Sequence, residues 1–183
     1  MKIDVQHIPP QGMTLSYEKP AKAFAILKEM MERRECDVID PISIELDLQP
    51  EKDTIRIRGR VATTLRLACS RCLVDFNSPL KNRFTLRYSR QIPQDVGSPD
   101  ATDVELTAEQ IGLLFFRGDE IDPTDAIAEQ VILALPYKPL CDEACKGLCP
   151  HCGIDLNHRI CRCSVEPVSS PFDVLKNFDL TQS

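Results

Sequence analysis

The chain has 183 residues, 43% of them hydrophobic and 27% charged, with nine cysteines and no tryptophan. That length and those proportions fit a globular protein with one core, with or without a small appendage. The longest apolar stretch, IGLLFF at Ile111–Phe116, is far too short to span a bilayer.

The opening MKIDVQHIPPQG has no apolar signal-like region, which points to the cytoplasm, where thiols stay reduced. Its KIDVQHI portion suits a short strand ended by Pro9 and Pro10. The segment from Lys19 to Arg34 predicts a helix, with Pro20 in its first turn and Ala21, Phe24, Ala25, Leu27 and Met31 on one face. From Pro41 the apolar period changes to two. Ile42, Ile44, Leu46 and Leu48 alternate with polar residues, and after a turn at PEKD so do Ile55, Ile57, Val61, Leu65 and Leu67. A reversal at CSRCLVDF leads to Leu80, Phe84, Leu86 and Tyr88. The pattern predicts a three-stranded antiparallel meander. Residues 92–102 predict a loop, and Leu113–Phe116 a further strand, although Thr107 could open a helix instead. Pro123–Leu135 predicts a helix capped by Asp122, with Ala126, Ile127, Val131, Ile132 and Leu135 buried. The fold class is therefore α+β: an antiparallel meander, two or three helices and a C-terminal cysteine-rich, zinc-binding module. The expected division is a core over 1–140, the module over 141–163 and a short amphipathic tail over 164–183.

Net charge is −6, yet it hides an asymmetry. Lys52–Arg90 holds ten Lys/Arg against two Asp, whereas Gln91–Gln130 holds ten Asp/Glu against one Arg. A partner would meet the local field, not the average. Strand alternation places Arg56, Arg58, Arg60, Arg66, Lys81, Arg83 and Arg87 on one face, a candidate surface for RNA phosphates. The face lacks aromatic residues to stack unpaired bases. The plain alternative is internal neutralisation, by Glu45 and Asp47 on the neighbouring strand or by the acidic stretch folding over.

The cysteines carry the sharpest signal. Cys141, Cys145, Cys149, Cys152, Cys161 and Cys163 crowd the C-terminal part, and Cys69 and Cys72 form a separate C-x2-C pair. Such a turn points two thiolates at one ion, with Gly153 supplying a left-handed residue after the second pair. An odd total argues against a complete disulfide set. Without Cys36, eight remain, enough for two tetrahedral sites holding one or two zinc ions. The simplest partition joins Cys149, Cys152, Cys161 and Cys163, and joins Cys69 and Cys72 to Cys141 and Cys145. Closed four-thiolate coordination is structural, since no position stays open for substrate. His151 and His158 are weaker ligand candidates.

Two catalytic readings fail on context. Cys145-x3-Cys149-x2-Cys152 has the spacing of radical enzymes that use S-adenosylmethionine, but those need a large barrel downstream. A thioredoxin-like role for Cys69 and Cys72 needs a helix N-terminus in a βαβ setting, not a turn between antiparallel strands. No small-molecule substrate is indicated.

ACSRCLVDF at Ala68–Phe76, LALPYKPLCDEACKGLCPHCGIDLN at Leu133–Asn157 and CRC at Cys161–Cys163 together resemble the YceD family. These bacterial and plastid proteins are associated with accumulation of 23S ribosomal RNA. The resemblance implies a non-enzymatic role in synthesis, processing or stability of that RNA in the bacterial cytoplasm. The implied partners are rRNA or a large-subunit precursor, with ribosomal proteins possible and no membrane involved. An adaptor that recruits a maturation enzyme is the competing expectation. The cysteine positions carry over as candidate metal ligands, and no active site does.

Overall fold

The computed structural model describes residues 1–90 and 112–163. The element order is β1 (Ile3–Asp4), β2 (Met13–Lys19), α1 (Ala25–Glu32), β3 (Asp37–Val38), β4 (Ile42–Glu51), β5 (Thr54–Ala68), β6 (Asp75–Ser89), β7 (Leu113–Phe115), β8 (Glu120–Ile121) and α2 (Thr124–Leu133), with 3₁₀ turns at Val5–His7 and Ala21–Ala23. The architecture is α+β.

The centre is the hairpin of β5 and β6, paired antiparallel over fifteen rungs from Thr54↔Ser89 to Ala68↔Asp75. The period-two pattern dictates it. Ile55, Ile57, Val61 and Leu65 are buried on one face, while Arg58, Arg60 and Arg66 are exposed on the other. The meander expected from Ile42 onward is thus present as β4, β5 and β6, inside a larger sheet ordered β2-β4-β5-β6-β7. β3 pairs with β5 beyond the end of β4, through Asp37↔Arg66 and Val38↔Leu65. β7 joins β6 in parallel, and β1 and β8 form a separate small ladder.

Two expected elements differ. KIDVQHI is a strand only at Ile3–Asp4 and turns into a 3₁₀ segment at Val5–His7. Lys19 ends a strand rather than starting a helix, and α1 begins only at Ala25. β2 pairs with β4 from Met13↔Leu48 to Lys19↔Ile42. Pro20 then keeps an extended backbone (φ −64°, ψ 144°), so a 3₁₀ turn intervenes before the helix. The ladder claims only Lys19 of the expected helix; the extended Pro20 and the 3₁₀ turn at Ala21–Ala23 postpone the α-helix to Ala25. Phe24 and Leu27 are nevertheless buried, as the stripe requires. α2 is one residue shorter at its start and two at its end than Pro123–Leu135. The N-cap is Pro123, without a side-chain cap bond, rather than the expected Asp122, whose Oδ1 accepts from the Thr124 amide at 3.0 Å from one position further out. The expected loop over 92–102, the helix at Thr107 and the C-terminal amphipathic tail fall outside the described residues.

The core lies between the inward sheet face and the two helices. α2 packs on β5 and β6, and α1 on α2. Leu46, Leu48, Ile57, Ile121 and Ile127 are completely buried. Each such side chain contributes roughly 1.5–3 kcal/mol relative to exposure. Cys36 is also in this core, away from the other cysteines, and burial pushes its thiol pKa up.

Gly59 stands opposite Phe84 in the ladder, and the Phe84 ring lies where a β-carbon would project, 2.1 Å from that position. Gly59→Ala should therefore destabilise the fold by about 1–3 kcal/mol. Trimming the ring with Phe84→Leu should recover part of the loss in a double-mutant cycle read by urea unfolding. Additive losses would show that ring and glycine are not coupled.

Candidate metal centres

The β5–β6 turn is a knuckle built around Cys69 and Cys72. The Cys69 amide donates to Val74 O at 2.9 Å, the Leu73 amide donates to Cys69 O at 2.9 Å, and the Arg71 amide points at Cys69 Sγ at 3.4 Å. The same pattern recurs around Cys149 and Cys152. There the Cys149 amide donates to Ile154 O at 2.8 Å, Gly153 to Cys149 O at 2.9 Å, and His151 to Cys149 Sγ at 3.4 Å. The fifth residue of each turn has positive φ, Leu73 at 61° and Gly153 at 70°. The glycine is the residue type this conformation favours, and Leu73 occupies it without that freedom.

Each knuckle is completed into a quartet. Cys69, Cys72, Cys141 and Cys145 place their sulfurs within 4.8 Å of one another, and so do Cys149, Cys152, Cys161 and Cys163. Sulfur separations are 3.8 Å for Cys69–Cys145 and 3.6 Å for Cys72–Cys141. In the second quartet they are 3.6 Å for Cys152–Cys161 and 3.3 Å for Cys149–Cys161. A tetrahedron with bonds of about 2.3 Å to a central ion has edges of about 3.8 Å. A disulfide would need about 2.05 Å. All nine cysteines are free thiols. Either quartet could hold a metal ion, and neither includes a histidine. His151 and His158 are exposed, and His158 faces Asp155 at 3.8 Å.

The electrostatics within each quartet are uneven. Amides of Cys141 and Cys72 hold the Cys69 thiol down to about 6, and amides of Cys152 and His151 hold Cys149 at about 6. Desolvation and the neighbouring sulfurs push Cys141 up to about 12, and the sulfurs of Cys161 and Cys152 push Cys163 to about 12. One thiolate per quartet is thus favoured by fixed dipoles, while further ionisation is opposed by crowding of like charge. A bound cation reverses that opposition.

The two quartets differ in exposure. Cys69, Cys72 and Cys145 are buried and form a small cluster with Phe76, Leu140 and Leu148 packed on it. In the second quartet only Cys149 is buried, and Cys152 and Cys163 are exposed.

Side chains invisible to a ligand search lock the C-terminal segment onto the hairpin. Arg71 donates to Cys145 O at 2.7 Å and Glu143 O at 3.1 Å, and its own carbonyl accepts from the Leu148 amide at 3.0 Å. Gly147 has φ 73°, and a β-carbon there would sit 2.9 Å from Arg71 O. Asn157 accepts from the Lys146 amide at 2.7 Å and donates to Cys145 Sγ at 3.3 Å, bridging the quartets. Nothing in the spacing of the cysteines singles out Arg71 or Asn157. Gly147, between two cysteine pairs, is the one signal the sequence offers.

The seven basic residues lie along the outer sheet face, but not as one uniform field. Arg60 pairs with Glu45 at 3.0 Å, Arg56 with Glu51 at 2.8 Å and Arg66 with Asp37 at 3.9 Å. Gln49 also accepts from Arg56. Arg58 stands opposite Asp47 in register without an ion pair among the described residues. Lys81, Arg83 and Arg87 on β6 are exposed and likewise have no ion pair among the described residues. Neighbouring acids thus neutralise most of β5 and leave β6 charged.

An α+β sheet whose longest hairpin supplies half of a cysteine quartet, completed by a C-terminal segment with a quartet of its own, defines the class. The chain belongs to the YceD family: the family model described as large ribosomal RNA subunit accumulation protein YceD matches residues 57–179. Among curated proteins, it is 27% identical over 157 residues to large ribosomal RNA subunit accumulation protein YCED homolog 1, chloroplastic, of Arabidopsis thaliana, covering 75% of this chain and 48% of that protein. A maize protein of the same name is 26% identical over 135 residues, covering 64% of this chain and 46% of the relative. An uncharacterised protein of Mycobacterium tuberculosis is 32% identical over 116 residues, covering 62% and 51% respectively. The chain spans about half the length of these relatives. No solved structure matches it. No helix among the described residues is long and apolar enough to cross a membrane.

The positive-φ positions make opposite predictions. Gly147→Ala should lower stability by about 1–3 kcal/mol, combining left-handed strain with the close approach to Arg71. Leu73→Gly should be neutral or slightly stabilising, because strain relief offsets backbone entropy. Thermal unfolding of both variants beside the parent chain reads the sign directly.

Proposed function

We propose that this protein is a non-enzymatic factor supporting accumulation of 23S rRNA, acting in the bacterial cytoplasm on pre-rRNA or a large-subunit assembly intermediate. The observation that carries the reading is membership of a family described by large ribosomal RNA subunit accumulation, through a match that includes both cysteine knuckles. The basic outer face, with Arg56, Arg58, Arg60, Arg66, Lys81, Arg83 and Arg87, is the RNA-facing surface in this reading. Ribosomal proteins of the same intermediate are further contacts.

In the same reading, each quartet binds one zinc ion. Thiolates are soft ligands suited to zinc, and four of them close the coordination shell, so the ions hold structure and activate no water. Cys69, Cys72, Cys141 and Cys145 staple a module over 141–163 to the core over 1–140, and the tail over 164–183 follows. Cys149, Cys152, Cys161 and Cys163 give the module an organising centre in place of an apolar core. Binding of structural zinc supplies roughly 10–16 kcal/mol in small peptides, ample for so short a segment.

A second reading is an adaptor that recruits a maturation enzyme or ribosomal protein. It is favoured by the knuckle tip, where Leu73 and Val74 are 66% and 51% exposed. Crosslinking in living cells separates the two. RNA attached to the chain favours direct binding, and protein crosslinks at the tip without RNA favour the adaptor.

Elemental analysis of chain purified without chelator should give two zinc per molecule. Cys145→Ser and Cys161→Ser should each remove one. Protein with intact thiols and no metal would refute the zinc assignment. For the role itself, the chain should co-sediment with large-subunit precursors in gradients, and its depletion should lower 23S rRNA relative to 16S rRNA. Unchanged rRNA ratios with no co-sedimentation would refute it.

A further inference from the structure

We infer that the outward file of β6, Lys81, Arg83 and Arg87, binds the sugar–phosphate backbone of paired RNA without reading its bases. This rests on the RNA-binding reading above and narrows it in residues and in ligand. Neutralisation inside the sheet gives the first reason. Arg56 lies directly opposite Arg87, and Arg60 opposite Arg83. Like charges in such positions oppose pairing. In both cases a carboxylate from the other side of β5 engages the β5 arginine, Glu51 for Arg56 and Glu45 for Arg60, and leaves the β6 partner unmatched. Among the described residues the remaining charge is this file with Arg58 beside it, not the whole face.

Spacing is the second reason. Lys81 and Arg83 are two residues apart and Arg83 and Arg87 four, so their α-carbons are spaced about 7 and 13 Å along the strand, about 20 Å in all. Thr85, exposed between the arginines, adds a hydroxyl donor to the file. The ladder to β5 holds these positions rigid, which suits a ligand whose phosphates are themselves at fixed spacing. On one flank, Arg83 and Arg58 border a concavity of about 480 Å³ whose far side carries Glu45 and Asp47. Asp47, without an ion pair among the described residues, disfavours a polyanion beyond that flank.

The third reason is what the face lacks. The outward positions of β4, β5 and β6 are Ser, Glu, Asp, Gln, Arg, Ala, Thr, Asn, Pro and Lys, with no aromatic side chain on which an unpaired base could stack. Single-strand binders depend on such platforms, whereas paired RNA is held through its backbone and shape. Lysine and proline also guard exposed strand edges against aggregation, and Pro79 and Lys81 fit that role. Arg87 does not, because β7 pairs with β6 there.

The test uses the full zinc-loaded chain, a 20-base-pair RNA duplex and a 20-nucleotide oligouridine, with fluorescence anisotropy over a salt series. The duplex should bind at least threefold more tightly than oligouridine. Lys81→Gln, Arg83→Gln and Arg87→Gln combined should weaken duplex binding at least tenfold and lower the slope of log K against log salt by about 2 to 3. Lys28→Gln with Arg33→Gln, which removes ion-paired cations of α1 away from the sheet face, should change affinity less than threefold. Equal losses in the two variants, tighter binding of oligouridine, or no binding of either RNA would overturn the inference. Gradient co-sedimentation of the parent chain separates the two levels. Association of the parent chain with precursors, when it binds no duplex in the anisotropy series, sinks this inference and leaves the broader role standing.

Discussion

Fifteen rungs of antiparallel pairing between β5 and β6 are the constraint on which everything else in this protein depends. One face of that ladder supplies the sheet's share of the core. Its other face fixes the basic side chains at strand spacing. Its far end carries Cys69 and Cys72 well beyond the last strand that β4 can cover, since β4 pairs only as far as Ala62 and β3 takes over at Leu65. A shift of one residue in this ladder would turn the core face outward and move the basic side chains and the cysteine turn at once.

The knuckles show how a backbone prepares a site before any ligand arrives. In each turn an amide two residues beyond the first cysteine aims at its sulfur, and a left-handed residue closes the loop back onto that cysteine's carbonyl. The Cys141 amide at the first turn and the Cys152 amide at the second, together with these turn amides, favour a thiolate in one position per quartet and leave the remaining sulfurs crowded. The two quartets share this logic but not their surroundings. The first is packed beneath Phe76, Leu140 and Leu148, while the second is held largely by its own turns.

Much of this was legible in the sequence, because the signals were periodic or spaced. The alternation from Ile42 to Tyr88 specifies β4, β5 and β6 and the face each side chain takes. The separation between cysteine pairs specifies the grouping into two quartets. What was hidden depended on partners distant in the chain. MTLSYEK carries too short an alternation to be recognised as β2, and only its register against β4 makes it a strand. Arg71 and Asn157 look like ordinary surface residues until the hairpin tip and the C-terminal segment meet. The division of the basic face into neutralised and unmatched halves likewise depends on which acids stand beside β5, which strand order alone decides.

Cys69 and Cys145 are 76 residues apart, so their meeting closes a loop that contains β6, β7, β8 and α2. That sets an order of events during synthesis. The β4–β5–β6 sheet can pair as soon as Ser89 has been made, since its contacts are between neighbours in sequence. The first quartet must wait for Cys145, and the second for Cys163. Until then the nascent chain presents an open hairpin tip bearing two thiols, able to find some other partner first. The protein therefore acquires its sheet early and its closure late, and the segment from Cys141 to Cys163 decides whether the earlier part stays fastened.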